Sequence, residues 1–134
     1  MLARIMPKPE IALTEAEWTV INAVWEKEPC TAPDIQGKLE TKTAWTYSTV
    51  RTLMDRMVAK GILKAKKDRH VTLYSSAVTR AQAQRGELLY ALKTAFSGAL
   101  TPMVQCLIET SDLNTEDLDK LESLIKAKKK NAKK

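Results

Sequence analysis

Residues 44–74 read AWTYSTVRTLMDRMVAKGILKAKKDRHVTLY, and the order of apolar positions in this stretch decides the fold. Val50, Leu53, Met54, Met57 and Val58 recur at the 3.6-residue spacing of a helix with one apolar stripe, and Thr46 supplies a capping hydroxyl. Gly61 ends the helix, since the residue past a helix terminus adopts a left-handed backbone that glycine reaches without a Cβ clash. Ile62, Leu63 and Ala65, then Val71, Leu73 and Tyr74, read as two short strands joined by a charged turn from Lys66 to His70. At 100° per residue, Ser48, Thr52, Asp55 and Ala59 lie opposite the apolar stripe, with Thr49, Arg51 and Arg56 on its shoulders.

Upstream, Thr14 and Glu17 have the spacing of a capping box, and Leu13 is placed to pack on Trp18. Trp18, Ile21, Val24 and Trp25 then form one helical face that ends near Lys27 and Pro29, with both tryptophans expected in the core. Cys30 and Thr31 fit a brief extended link. Thr31 caps a second helix with Pro33 and Asp34 in its first turn and Ile35 and Leu39 inward. Three helices followed by a charged hairpin make a winged helix-turn-helix.

Downstream, residues 78–96 predict a helix with Ala81, Arg85, Leu88, Leu89, Leu92 and Phe96 on one side. Leu100 to Ile108 carries Met103, Val104, Leu107 and Ile108, and Asn114 caps a last helix bearing Leu118, Leu121, Leu124 and Ile125. Three short helices cannot hide these stripes alone, so a homodimer is expected to bury them. Gly86 costs about 1 kcal/mol inside a helix relative to Ala, which suits a close helix crossing at the dimer contact. The expected class is mainly α with a small β wing. It divides into a winged-helix domain at 1–77, a helical dimerisation domain at 78–126 and a basic, disordered tail at 127–134.

Charge points to the partner. Residues 44–74 hold 7 Lys/Arg against 2 Asp/Glu, whereas residues 1–43 hold 5 against 7 and residues 75–125 hold 4 against 7. The net charge of +6 is matched by six lysines at the C-terminal end, Lys126, Lys128, Lys129, Lys130, Lys133 and Lys134. Clustering, rather than the total, therefore indicates a polyanion. Small hydroxyls flanked by arginines suit the floor of a DNA groove, and Lys66, Lys67 and Arg69 suit the phosphate backbone or a minor groove. Asp55 opposes such binding unless it orients Arg51 or accepts from a cytosine amine.

Other classes find no support. No apolar run approaches the ~18 residues of a membrane span, and Met1 to Met6 is too short for a signal-peptide core, so a cytoplasmic protein without membrane contact is expected. Cys30 and Cys106 match no metal-ligand spacing and His70 is the single histidine, so neither a metal nor another cofactor is expected, and both thiols should be reduced and mostly buried. Nor do Gly37, Gly61, Gly86 and Gly98 form a phosphate-cradling loop. No enzyme is expected.

The stretch from Leu13 to Tyr74 resembles the winged-helix repressors of the BlaI/MecI/CopY (penicillinase repressor) family. The resemblance is carried by Thr14-Glu15-Ala16-Glu17-Trp18, Val24-Trp25-Glu26, the run Trp45-Thr46-Tyr47-Ser48-Thr49-Val50-Arg51-Thr52-Leu53, Arg56 and Lys60-Gly61, and it extends more weakly to about Ile125. It implies a homodimeric transcriptional repressor on palindromic double-stranded operator DNA, with Ser48, Thr49, Arg51 and Thr52 facing the operator and Trp45 near its backbone. The residues alone leave Trp45 equally open to a core role anchoring the helix. The cysteine cluster of copper-responsive members is absent. The Asn-Phe bond cut in β-lactam-responsive members is replaced by Cys106-Leu107, which counts against a β-lactam signal; Gly98 and Pro102 mark a break that makes Ser97 to Ile108 the expected weak point of the dimer, with a regulatory protease as a candidate partner. Two alternatives are a winged helix docking an acidic protein and a redox sensor using Cys30 or Cys106.

Overall fold

A computed structural model describes residues 12–132. Helices α1 (Glu15–Glu26), α2 (Ala32–Leu39) and α3 (Tyr47–Ala59) precede a hairpin of β1 (Leu63–Asp68) and β2 (Val71–Ser76), and α4 (Arg80–Ala95), α5 (Leu100–Thr110) and α6 (Thr115–Ala132) follow. The chain divides into two compact units between Ala91 and Leu92, inside α4.

In the first unit the capping residues expected from sequence all act. Thr14 and Glu17 exchange hydrogen bonds at 2.9 and 3.1 Å at the start of α1, and Thr31 and Asp34 do the same at α2. Glu17 is itself buried, and its second oxygen accepts from Lys60 Nζ at 2.6 Å, which ties the start of α1 to the end of α3. Gly61, at φ 83°, closes α3: its N–H donates to the Val58 carbonyl at 3.0 Å and that of Ile62 to Met57 at 2.9 Å. Val20, Ile21, Val24, Ile35, Val50, Met54, Met57, Leu63 and Tyr74 are fully covered, and each such side chain contributes about 1.5–3 kcal/mol on leaving water.

The hairpin is longer than expected. Lys66 pairs with Leu73 and Lys67 with Thr72, so both lysines belong to β1 and the turn is the two residues Arg69 and His70. A lysine pairs its backbone while its ammonium stays in water, so a run of cations does not end a strand. Arg69 takes the positive φ, 61°, at the tip. The link after α1 joins the same ladder: Cys30 and Tyr74 exchange backbone hydrogen bonds at 2.9 and 2.7 Å.

Trp18 and Trp25 are partly buried, packed against the edge of the core rather than enclosed in it. They meet edge to face at 6.3 Å; Trp18 Nε1 donates to Glu87 at 3.1 Å and Trp25 Nε1 to the Val78 carbonyl at 3.2 Å. Arg80 lies 4.5 Å over the Trp25 ring and donates to Asn22 at 3.0 Å. The start of α4 thus docks on α1, burying Ala83 and Gly86. Gly86 is covered within its own chain.

In the second unit, Ser97 (φ 51°) and Gly98 (φ 83°) turn the chain into α5, and Asn114 and Asp117 cap α6. α5 buries only Met103 and α6 buries no residue. Cys106 is exposed, against the expectation of two buried thiols, because α5 has so little cover. α6 continues through Lys126–Lys130 to Ala132, past residue 127; lysine and alanine are good helix formers, and cations favour a helix C-terminus.

Candidate nucleic-acid interface

The outward face of α3 begins with its cap. The Thr46 hydroxyl accepts from the Thr49 N–H and donates to the Thr49 hydroxyl, both at 3.2 Å, so these two side chains fix the first turn. Thr46, Ser48, Thr49, Thr52 and Arg56 are exposed. Trp45 is half-buried and packs against the core, with its N–H on Thr43 at 3.4 Å and its carbonyl accepting from Gln36 at 3.5 Å. Both bonds are made by the Trp45 backbone, and its side chain is partly buried against the core at the start of α3.

Arg51 does not hang free. Its Nε donates to Asp55 Oδ2 at 3.2 Å and its Nη1 to the Tyr47 hydroxyl at 3.1 Å, while Asp55 Oδ1 accepts from the Tyr74 hydroxyl at 2.7 Å. Burial, followed by the bond to Asp55, pushes the Tyr74 phenol up to about 12. The hydrogen bond that Arg51 donates to Tyr47, then the electrostatic effects of Tyr74 and Asp55, raise the guanidinium above its ordinary value. Tyr47 and Asp55 stand one helical turn either side of Arg51 and are readable from spacing. Tyr74, 19 residues from Asp55, is not.

Strand alternation sorts the wing cations. Lys67, Thr72 and Tyr74 share one face of the hairpin, whereas Lys66 pairs with Leu73 on the other. On the first face a cleft of about 290 Å³ is lined by Thr31, Tyr47, Arg51, Lys67, His70 and Tyr74 among others, none of them acidic. Arg69 is exposed at the tip. The sequence-predicted residues thus fall on two sides: Arg51 and Lys67 meet at one cleft, and Lys66 faces away.

Two other chemistries lack a site among the described residues. No group of three His, Cys, Asp or Glu side chains is placed to hold a metal ion, and no helix is long and apolar enough to cross a membrane. Burial pushes the Cys30 thiol up to about 11, and its sulfur lies 3.8 Å from the Tyr74 carbonyl, an environment that suppresses thiolate.

The sequence model of the family described as penicillinase repressor matches residues 13–127. The chain belongs to the penicillinase repressor family. Membership makes it a DNA-binding transcriptional repressor of the winged-helix type. Methicillin resistance regulatory protein MecI of Staphylococcus aureus (strain N315) is 26% identical over 116 residues, 87% of this chain and 94% of that one. The penicillinase repressor of Staphylococcus aureus is 23% identical over 120 residues, 90% and 95% of the two chains. Among solved structures, the Bacillus licheniformis BlaI monomer in complex with the blaP half-operator has a TM-score of 0.48 at 20% identity, covering 55% of this chain and 89% of that one.

Proposed function

We propose that this penicillinase repressor family member binds a palindromic operator as a homodimer, with α3 in the major groove of each half-site and the wing beside it. The observation that carries the reading is the polar face of α3, where Arg51 is held between Tyr47 and Asp55 on the shoulder of the exposed Ser48 and Thr52, at a cleft lined also by Lys67. Ser48, Thr49, Arg51 and Thr52 face bases, Thr46 and Arg56 flank them, and Lys67 and Arg69 take phosphates, with Lys66 a more distant cation. The apolar stripes supply the second half of the function. Leu88, Leu89, Val104, Leu107, Leu118, Leu121 and Leu124 are exposed in the single chain, and with the half-buried Leu92 and Phe96 they form the surfaces that a second copy covers, whereas Met103, expected among them, is already buried within its own chain.

Pairing turns two weak half-site attachments into one strong one, so an inducing signal needs only to break the pair. The Cys106-Leu107 bond lies inside α5, and a regulatory protease would reach it only after that helix unwinds. Selection from a randomised duplex library tests the reading. It should return two inverted half-sites, and Arg51→Ala should lower specific affinity about 5- to 150-fold while flattening one position in each. Equal retention of every sequence, with salt as the only variable, would leave a polyanion-binding surface and remove the base-reading role.

A further inference from the structure

Asp55 is a misfit on a face that meets phosphates, because an unpaired carboxylate there repels the duplex. Both of its oxygens are nevertheless engaged, one by Arg51 and one by Tyr74. Tyr74 is fully covered and its backbone is bonded in both directions to Cys30, so its hydroxyl is placed by the ladder and not by a mobile side chain. Arg51 is the opposite kind of group, long and partly exposed, and a free arginine spreads over many rotamers that meet phosphates and bases alike.

We propose that Tyr74 and Asp55 are positioning residues that transmit the fixed hairpin to Arg51 and thereby set which base it selects. The inference rests on the base-reading role of α3. With Nε committed to Asp55, a bidentate contact to guanine O6 and N7 has to use the terminal nitrogens, so the guanidinium meets the base end-on. Tyr47 steadies the same group from the preceding turn, at 3.1 Å from Nη1. The Arg51–Asp55 pair is exposed to solvent, and such pairs add little to stability; its effect is on direction.

Selection from a randomised duplex library, run on the full-length protein, separates the possibilities. Wild type enriches a motif, and Arg51→Ala flattens one position per half-site. Tyr74→Phe and Asp55→Ala should lower discrimination about fivefold at that same position and leave the other positions as they were. Asp55→Asn should retain it, because the amide oxygen still accepts from Arg51 while the amide nitrogen donates to the Tyr74 hydroxyl. Thermal melts accompany each variant, and if Tyr74→Phe does not fold, Asp55→Ala at an exposed position carries the test. A uniform drop in affinity at all positions, or an unchanged motif in Asp55→Ala, overturns the positioning role while the base-reading role stands. A wild type that enriches no motif, or an Arg51→Ala that flattens none, removes both.

Discussion

The two units use the same helical spacing of apolar residues to opposite ends. In the first, Ile21, Val24, Val50 and Met54 are fully covered; in the second, Leu107, Leu118 and Leu124 are 50%, 45% and 67% exposed. The difference lies in what surrounds each stripe. α1, α2 and α3 converge with the hairpin on one core, whereas α5 and α6 together bury one residue, Met103. Periodicity therefore defines a face without stating whether the same chain covers it.

Substitution should expose this contrast most strongly in the core. Met54→Ala should cost about 2–5 kcal/mol at any protein concentration, because it opens a cavity in a filled interior. Leu124→Ala should change the stability of the dilute chain by no more than about 0.5 kcal/mol and act only where copies pair. Denaturant titrations at nanomolar and micromolar protein distinguish them, and a concentration-independent loss at Leu124 matching that at Met54 would erase the distinction. Next in size, Leu118→Asp with Leu121→Asp should leave the first unit folded, yield a monomer in sedimentation and lower operator affinity roughly 100-fold or more. A dimeric double variant would break the comparison.

The first unit was legible because its information is local. Thr14 with Glu17, Thr31 with Asp34, Thr46 and Gly61 each act on residues within a few positions, and spacing alone reveals them. What escaped was non-local. Trp18 meets Glu87 across 69 residues and Trp25 meets Val78 across 53, so two apparent core residues became a seam for α4. The Tyr74–Asp55 bond escaped for the same reason, and with it the placement of Arg51. Charge at Lys66 and Lys67 resembles the start of a turn in the sequence, although backbone pairing is indifferent to a solvated ammonium.

Alkali should sharpen the comparison within the first unit. The Tyr74 phenol and Cys30 thiol are raised to about 12 and about 11, so the folded state keeps protons that the unfolded chain releases from near 10 and 9. Their stabilisation is complete below about pH 9 and declines as pH rises through 11 and 12. Circular dichroism should show Tyr74→Phe losing the part between pH 10 and 12.

The wing offers smaller effects. Lys67→Ala should reduce the logarithmic salt slope of duplex binding by about 0.9, as one phosphate contact is lost, and Lys66→Ala by less. An equal change would mean that the two strand faces are not distinguished. Arg69→Gly should raise stability by up to about 1 kcal/mol, since relief of a left-handed backbone worth about 1–2 kcal/mol exceeds the added freedom of glycine in the unfolded chain, about 0.4–1 kcal/mol. The same change should weaken duplex binding, which a melt and a titration measure separately.

The two cysteines differ in a way that equips the protein for spectroscopy. Cys30 is enclosed and protonated beside the hairpin, while Cys106 stands open on α5. A maleimide dye or spin label applied to the native protein near neutral pH will attach at Cys106 and spare Cys30, without any cysteine being removed. Each chain then carries one tag on the unit that has no core of its own, and a tagged sample reads pairing as a distance between identical labels.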